Sequence, residues 1–206
     1  MARQCPAGGL GAAAGRAEST DSARHRPLDS AAVGALAILI TGVMAAGKST
    51  VAQLVAERLP RSVHLRGDVF RRMIASGRAS LDGTVAGEFE RQLLLRYELA
   101  AVTGDRYLAA GFSVVYQDVI LGAALAEVVK LWARWPLHVV VLCPSAAVVE
   151  RREAERDKVG YRGISVAALD RALRGETPRI GLWLDSSDLT PIETADRVLA
   201  ECGRDL

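Results

Sequence analysis

The sequence has few cysteines and no apolar run long enough for a comfortable membrane span. Its three cysteines, Cys5, Cys143 and Cys202, lie far apart, without the CxxC spacing of redox sites and without a histidine cluster that would suggest zinc. The longest apolar stretch, residues 31–46, contains two glycines and is too short for a transmembrane helix. We therefore expect a buried strand in the apolar stretch. The cysteine pattern fits a protein of the reducing cytoplasm.

An excess of one sign of charge is also lacking. The 206 residues include 26 Lys and Arg and 24 Asp and Glu, which gives a formal net charge of +2. This net charge falls well short of the positive excess of a dedicated nucleic-acid binder, although it is compatible with a local basic patch. Half of the residues are hydrophobic, which is enough for one compact domain with a sizeable core.

The first part of the chain differs in composition from the rest. Residues 1–32 are rich in Ala, Gly, Arg and Ser and show no apolar period. We expect a disordered or loosely ordered tail, with a short helix at 12–17 as the alternative. Residues 33–206 then form the folded domain.

Within that domain, apolar runs alternate with amphipathic helical patterns. This alternation is typical of βαβ units and of a parallel sheet covered on both faces, so the fold class is α/β. We expect strands at 35–41, 62–65, 112–117, 137–143 and 181–184, with helices at 48–59, 88–110, 121–135 and 146–158. A last helix begins at Thr190, where an N-cap, Pro191 and a capping-box Glu193 follow one another.

The most specific signal is GVMAAGKST, residues 42–50, which matches GxxxxGK[ST] between a predicted strand and a predicted helix. Its glycines let the backbone curl, so that successive N–H groups and the helix N-terminus face a polyphosphate. Lys48 then reaches the β- and γ-phosphates, and the Ser49 hydroxyl is placed to bind Mg²⁺. The predicted ATP-binding residues are Gly42, Val43, Met44, Ala45, Ala46, Gly47, Lys48, Ser49 and Thr50. The motif alone does not choose between a kinase, a GTPase and an ATPase.

A kinase also needs a group that accepts or orients the proton of the acceptor hydroxyl. Asp68 follows the short predicted strand SVHL and Gly67, so its carboxylate would emerge at the carboxyl edge of the sheet, beside the phosphates. The alternative is an aspartate that caps the next helix, and the two roles can coexist. We find no NKxD-type element of a GTPase, and a motor-type ATPase usually needs more chain. Transfer to a bound acceptor is therefore favoured over hydrolysis.

GVMAAGKST followed about twenty residues later by RGDVFRRMI resembles the P-loop kinases of the chloramphenicol phosphotransferase and zeta-toxin group, which are AAA-type small-molecule kinases. Polynucleotide kinases share the outline, and the likeness spans residues 38–199. It implies that Asp68 is the catalytic base. Arg71, one helical turn on, would face the same cleft and read an anionic group of the substrate. It also implies a three-layer αβα sandwich with a five-stranded parallel sheet in the order 2-3-1-4-5.

A second acid follows the apolar strand VVYQD. Asp118 lies where a Walker-B acid holds Mg²⁺ directly or through water, and its alternative role is to cap the helix expected near residue 121. Gln117 beside it could touch the acceptor. Arg72 is a further candidate for substrate binding, and a solvated basic helix face is the alternative for it.

The charged run at residues 150–163 resembles the lid of small kinases, in which arginines close over the phosphates. Arg152 and Arg156 are four residues apart and share a helical face, which makes them the lid candidates. Guanidinium groups there would stabilise the charge that develops on the moving phosphoryl group. An ordinary solvated helix is the alternative.

These observations predict an ATP- and Mg²⁺-dependent kinase that phosphorylates a hydroxyl group of a small molecule, with an antibiotic as one attractive acceptor. A 5'-hydroxyl polynucleotide or a sugar nucleotide is the nearest rival acceptor, and a nucleotide-switched regulatory module is the rival from another class. No membrane partner is expected. The predicted catalytic residues are Lys48, Asp68, Arg152 and Arg156; the substrate-binding residues are Asp68, Arg71, Arg72, Gln117 and Asp118; and the metal-binding residues are Ser49 and Asp118.

Overall fold

A five-stranded parallel sheet forms the centre of the computed structural model, which describes residues 34–80, 86–155 and 165–203. The strands are β1 (Ala37–Gly42), β2 (Ser62–Arg66), β3 (Ser113–Gln117), β4 (Leu137–Leu142) and β5 (Leu182–Leu184). Every pairing is parallel and the order is 2-3-1-4-5, which places β1 in the middle. The predicted α/β sandwich and its strand order are therefore confirmed.

Helices connect the strands and cover the sheet. They are α1 (Lys48–Glu57), α2 (Asp68–Arg72), α3 (Glu88–Ala109), α4 (Ala124–Leu131), α5 (Ala146–Ala154), α6 (Val166–Arg171) and α7 (Pro191–Glu201). A π-helical turn, Ala172–Glu176, continues α6. No helix of the described residues is long and apolar enough to cross a membrane.

The central strands are apolar because both of their faces are covered. Every residue of β1 and β3 is buried, which explains why these segments read as continuous apolar runs rather than as alternating patterns. At the carboxyl ends, the Thr41 hydroxyl accepts a hydrogen bond from the Ile120 N–H and donates one to the Ile120 carbonyl, each at 3.0 Å. The loops that follow β1 and β3 are therefore held side by side.

Several helix boundaries differ from the predicted ones. α4 was expected over residues 121–135 but begins only after Gly122, whose φ of 60° is left-handed and does not belong in an α-helix. α6 and its π-helical turn were not predicted, since six and five residues are too few to show a helical period. The capping box of α7 is confirmed: Thr190 Oγ1 accepts from the Glu193 N–H, and the Glu193 carboxylate accepts from the Thr190 N–H.

Two predicted segments fall partly or wholly outside the described residues. They are the N-terminal tail, residues 1–32, and the part of the predicted lid from 156 to 163, which includes Arg156. Both stay predictions. Of the lid, α5 with Arg152 is described.

Candidate active site

The loop between β1 and α1 has the shape that the phosphate-binding motif requires. Gly42 and Gly47 have φ values of 143° and 96°, and Ala45 has a φ of 60°. A Cβ on Gly42 would lie 2.3 Å from the Leu142 carbonyl oxygen, so this strand end has no room for a side chain. α1 has no side-chain cap at its N-terminus, which leaves its first N–H groups directed at the loop. The cradle fits a polyphosphate.

The lysine of the motif is held inside this cradle. The Lys48 side chain is buried, and its Nζ donates a 2.7 Å hydrogen bond to the Val43 carbonyl. Ser49 and Thr50, by contrast, are exposed at the start of α1. One charged group and two hydroxyls therefore surround the place of the phosphates.

A cleft of about 560 Å³ extends from this loop across the carboxyl ends of β1, β3 and β2. It lies where open α/β sheets bind their ligands, outside the carboxyl ends of the strands. Its lining residues are Met44, Ala45, Gly47, Lys48, Ser49, Thr50, Arg66, Asp68, Arg72, Gln117, Asp118, Val119, Arg152 and Glu155. The structure thus brings together most of the predicted site residues.

Asp68 is the first residue of α2 and lies between two arginines. Its Oδ1 is 3.4 Å from Arg66 Nε, and its Oδ2 is 3.2 Å from an Arg72 guanidinium nitrogen. Oδ1 is buried, yet no described residue donates it a hydrogen bond. α2 has no side-chain capping bond, so the capping role considered for Asp68 is not what the structure shows.

Arg71 takes a different direction from the one expected. Its guanidinium donates a 2.7 Å hydrogen bond to the Ala79 carbonyl, and the side chain does not line the cleft. Arg72, one position further, shares the cleft with Asp68 instead. On α2, the i,i+4 residue Arg72 therefore faces the Asp68 carboxylate, whereas the i,i+3 residue Arg71 packs toward the segment before α3. A substrate-binding role for Arg71 stays a prediction.

Asp118 is held from three sides beneath the cleft. Its Oδ1 accepts hydrogen bonds from Arg96, at 2.6 Å, and from the Val119 N–H, at 2.7 Å, while its Oδ2 accepts one from the Tyr116 hydroxyl at 3.0 Å. The side chain is only 4% exposed, against 12% for Arg96. Asp118 does not cap α4, which starts six residues later in the chain. The alternative role considered for it is therefore not observed.

Gly67 makes room for this carboxylate. A Cβ at Gly67 would lie 1.9 Å from Asp118 Oδ2 and 2.5 Å from its Cγ. The Gly67 N–H also donates to the Gln117 carbonyl, which joins the end of β2 to the end of β3. Gln117 itself is buried and lines the cleft. The close approach of the two strand ends depends on a glycine here.

Burial and charge set the ionisation of this cluster. Burial raises the pKa of Asp118 above its ordinary value, while Arg96, the Val119 N–H and the Tyr116 hydroxyl act in the opposite direction by stabilising the carboxylate. Burial and the nearby Asp118 charge also raise the pKa of Tyr116 and of Tyr97. Both phenols therefore stay protonated and act as donors, Tyr97 to the Val119 carbonyl at 3.0 Å.

Sequence reasoning missed Arg96 and Tyr116, the partners of Asp118. Tyr116 was considered only as an apolar strand residue, although it stacks on Trp132 with ring centroids 5.5 Å apart and turns its hydroxyl to Asp118. Arg96 precedes the buried Tyr97 in α3, and an arginine beside the apolar face of a helix was the available signal. Arg66 was also missed, because only its contact with Asp68, two residues further along the chain, marks it as part of the site.

Arg152 bridges the phosphate-binding loop and the end of β5. Its guanidinium donates to the Ala46 carbonyl at 3.4 Å and to the Ser186 carbonyl at 3.2 Å. A side cavity of about 260 Å³ opens beside it, between this loop and the start of α7. The buried Ser186 hydroxyl lines that cavity and has no hydrogen-bond partner among the described residues.

The predicted metal ligands fit Mg²⁺ unequally. The Ser49 hydroxyl is exposed in the cleft and suits this hard cation, whereas both Asp118 oxygens already accept hydrogen bonds. Residues 34–80, 86–155 and 165–203 contain no cluster of three or more His, Cys, Asp or Glu side chains arranged to hold a metal ion. A cation bound through one serine, one carboxylate and the phosphates of its substrate is compatible with this donor set.

Solved structures with this fold include several kinases. A tunicamycin resistance protein from Deinococcus radiodurans matches with a TM-score of 0.63 at 20% identity, over 84% of this chain and 98% of that one. An APS kinase from Mycobacterium tuberculosis gives 0.63 at 19% identity, over 82% and 98%. A sugar kinase from a Janibacter species gives 0.62 at 18% identity, over 82% and 95%. At these identities the likeness establishes the fold.

Sequence comparison supplies the family. No curated protein matches the chain. The model of a family described as an AAA domain matches residues 38–177, which is more than half of the chain and includes the phosphate-binding loop, Asp68 and Asp118. The narrower resemblance to the chloramphenicol phosphotransferase and zeta-toxin group stays a prediction. The protein belongs to the AAA domain family, with a fold that it shares with P-loop kinases.

Proposed function

We propose that this protein is a kinase that transfers the γ-phosphoryl group of ATP to a hydroxyl group of a small molecule. The observation that carries the proposal is that the phosphate-binding loop and the half-exposed Asp68 carboxylate line one continuous cleft. A hydrolase needs only a water near the γ-phosphate. A carboxylate with an unused buried oxygen at the other end of the cleft suits an acceptor hydroxyl instead.

The loop and the start of α1 bind the phosphates of ATP. Lys48 leaves the Val43 carbonyl for the β- and γ-phosphates, and the N–H groups of the loop take up the remaining negative charge. Ser49 and Asp118 are the residues that would hold Mg²⁺, which when bound neutralises charge on the phosphates. We place the adenine ring of ATP in the side cavity beside Arg152, where the Ser186 hydroxyl can donate or accept a hydrogen bond.

Asp68 accepts the proton of the acceptor hydroxyl. No described residue donates a hydrogen bond to its Oδ1, and the ion-pair contact of Oδ1 with Arg66 Nε is long at 3.4 Å, so a hydroxyl that displaces Arg66 can donate there. Arg152, on the opposite side of the loop, contributes positive charge where negative charge develops during transfer. Arg156, outside the described residues, is a second candidate for the same role.

Among acceptors, we favour small molecules over a 5'-hydroxyl polynucleotide. The polynucleotide rival depended on Arg71 facing the cleft, and Arg71 binds the Ala79 carbonyl instead. One structural neighbour is a tunicamycin resistance protein and another a sugar kinase, so antibiotic and sugar hydroxyls both belong in the first set of acceptors to be tried. A regulatory module would not need Asp68 in this place.

The test is the variant Asp68→Asn, which keeps the size of the side chain and removes its basicity. We expect ATP binding, measured with a fluorescent nucleotide analogue, to change little, because Asp68 does not belong to the phosphate-binding loop. The rate of transfer should fall about 10²- to 10⁴-fold, the usual contribution of a general base. Transfer is measured as labelled phosphate that moves from γ-labelled ATP to an organic product.

Asp196→Asn is the matched control. Asp196 is 46% exposed and forms an ion pair with Arg58, much as Asp68 is 45% exposed and paired with arginines, but it does not line the cleft. We expect this variant to keep full activity. Full transfer activity in Asp68→Asn would remove the general base from the mechanism. ATP hydrolysis without any phosphorylated product would overturn the proposal that the protein is a kinase.

A further inference from the structure

Two half-exposed arginines flank Asp68 at one end of the cleft. Arg66 is the last residue of β2 and Arg72 the last residue of α2, and their side chains are 44% and 56% exposed. β2 is separated from β1 by β3, whereas Arg152 lies on the helix after β4, on the other side of β1. Arg66 and Arg72 are therefore on the Asp68 side of the phosphate-binding loop, and Arg152 is on the other side.

The charges at this end do not balance. Two guanidinium groups face the single carboxylate of Asp68, because the carboxylate of Asp118 is already paired with Arg96 at 2.6 Å. The third carboxylate of the cleft lining, Glu155, is at the end of α5, the helix that carries Arg152. A cleft end with one uncompensated positive charge favours an anionic ligand.

More positive charge lies behind α2. Burial lowers the pKa of Arg71 below its ordinary value, and the charges of Arg78 and Arg96 lower it further. The charges of Arg78 and Arg96 therefore act on Arg71, whose guanidinium is turned to a backbone carbonyl. Because Arg96 is paired with Asp118, Arg71 and Arg78 are the charges of this cluster that add to the field of the two arginines in the cleft.

The ion pairs that now hold Arg66 and Arg72 can be exchanged. The contact distances of 3.2 to 3.5 Å are long for charge-assisted hydrogen bonds, and exposed ion pairs contribute little. A ligand with a carboxylate, phosphate or sulfate group can therefore take over the two guanidiniums. Asp68 would then be released from them to accept a hydroxyl proton.

We propose that the acceptor is a small anionic alcohol, whose negative group is bound by Arg66 and Arg72 while its hydroxyl group donates to Asp68. The inference rests on the proposed kinase function and names its substrate class. The reaction breaks the bond between the γ-phosphorus and the bridging oxygen of ATP and forms a bond from that phosphorus to the acceptor oxygen. The hydroxyl proton goes to Asp68, and ADP leaves.

The experiment uses the full chain with γ-labelled ATP and Mg²⁺. A small-molecule extract of cells, filtered to remove macromolecules, is divided on an anion-exchange resin into a retained anionic fraction and an unretained fraction. We expect labelled organic product from the anionic fraction alone. In Arg66→Gln and Arg72→Gln, the KM for that acceptor should rise about ten- to hundredfold, while the KM for ATP stays near its wild-type value. Arg66→Lys and Arg72→Lys should recover part of the loss.

Arg91→Gln is the matched control, because Arg91 is an exposed arginine paired with Glu88 and does not line the cleft. Product from the unretained fraction, at a rate that the Arg66 and Arg72 variants do not change, would overturn the anionic acceptor and leave the kinase intact. If the Arg66 and Arg72 variants instead raise the KM for ATP, the two arginines bind the nucleotide. That result would also overturn the anionic acceptor. Phosphorylation of an added 5'-hydroxyl oligonucleotide, with no labelled small-molecule product, would also overturn the proposed anionic small-molecule acceptor. No transfer to either fraction or to the oligonucleotide would overturn the kinase function itself.

Discussion

Replacing Gly67 with alanine adds one methyl group at the point where the ends of β2 and β3 approach most closely. The new Cβ would lie 1.9 Å from Asp118 Oδ2, 2.5 Å from its Cγ and 3.1 Å from its Cβ. Gly67 has φ −62° and ψ −32°, which alanine adopts without strain. Any effect of the substitution therefore comes from the collision with Asp118, not from the backbone.

The collision cannot be relieved without breaking the bonds of Asp118. The carboxylate is bound to Arg96, to the Val119 N–H and to the Tyr116 hydroxyl, so a shift of an ångström or more separates a buried ion pair. Overpacking a core costs about 1–3 kcal/mol. Removing one partner of a buried ion pair costs about 3–5 kcal/mol. We expect Gly67→Ala to lower the free energy of unfolding by about 3 kcal/mol, between these two limits.

Thermal and urea unfolding of Gly67→Ala measure this change. A loss of about 3 kcal/mol should lower Tm by about 6–12 °C in a chain of this size. Gly175→Ala is the control, because a Cβ there meets nothing within 4 Å and its φ is not in the left-handed region. We expect that variant to be as stable as the parent or slightly more so.

A double variant separates the collision from other causes. If the added methyl acts only through Asp118, then Gly67→Ala should cost little in a chain that already carries Asp118→Ala. The two single effects would therefore not add. Equal stability of Gly67→Ala and the parent would refute the reasoning. So would full additivity in the double variant, because the cost would then arise elsewhere.

Three further outcomes follow from the same structure. Gly104→Ala should lower Tm, since its Cβ would lie 2.2 Å from the buried Trp132 ring, with a cost of about 1–3 kcal/mol in a thermal melt. Burial lowers the pKa of His64, so its contribution to stability is present above about pH 6.5 and is lost as the pH falls through the lower folded value. Unfolding free energy should therefore depend less steeply on pH in His64→Gln than in the parent protein. Thr190→Ala removes the capping box of α7 and should cost about 1 kcal/mol by urea unfolding.

The parts of the fold that could be predicted from sequence are those that depend on neighbours in the chain. β1 is a nearly unbroken apolar run, and the start of α7 is marked by the N-cap Thr190, by Pro191 and by the capping-box Glu193. The phosphate-binding loop is equally local, because its glycines and Lys48 act within nine residues. Local steric and capping preferences decide each of these elements.

The parts that could not be predicted depend on contacts between distant segments. Arg96 and Asp118 are 22 residues apart, on a helix and at a strand end, so only the packing of α3 on β3 brings them together. The choice between Arg71 and Arg72 depends on how a five-residue helix is rotated about its axis, and a difference of one residue turns a side chain by about 100°. The sequence identified the arginine-rich helix but not the face that meets the cleft.

The two acids of the cleft differ in the way that proton transfer requires. Asp118 is 4% exposed and its carboxylate is occupied by Arg96, Val119 and Tyr116, so an acceptor hydroxyl would have to displace one of these donors to reach it. Asp68 is 45% exposed, and its partners among the described residues are exposed guanidiniums that a ligand can displace. An acceptor hydroxyl can therefore approach Asp68 more readily than Asp118, which is why we propose Asp68 as the base. Asp118 lines the same cleft and stays paired with Arg96.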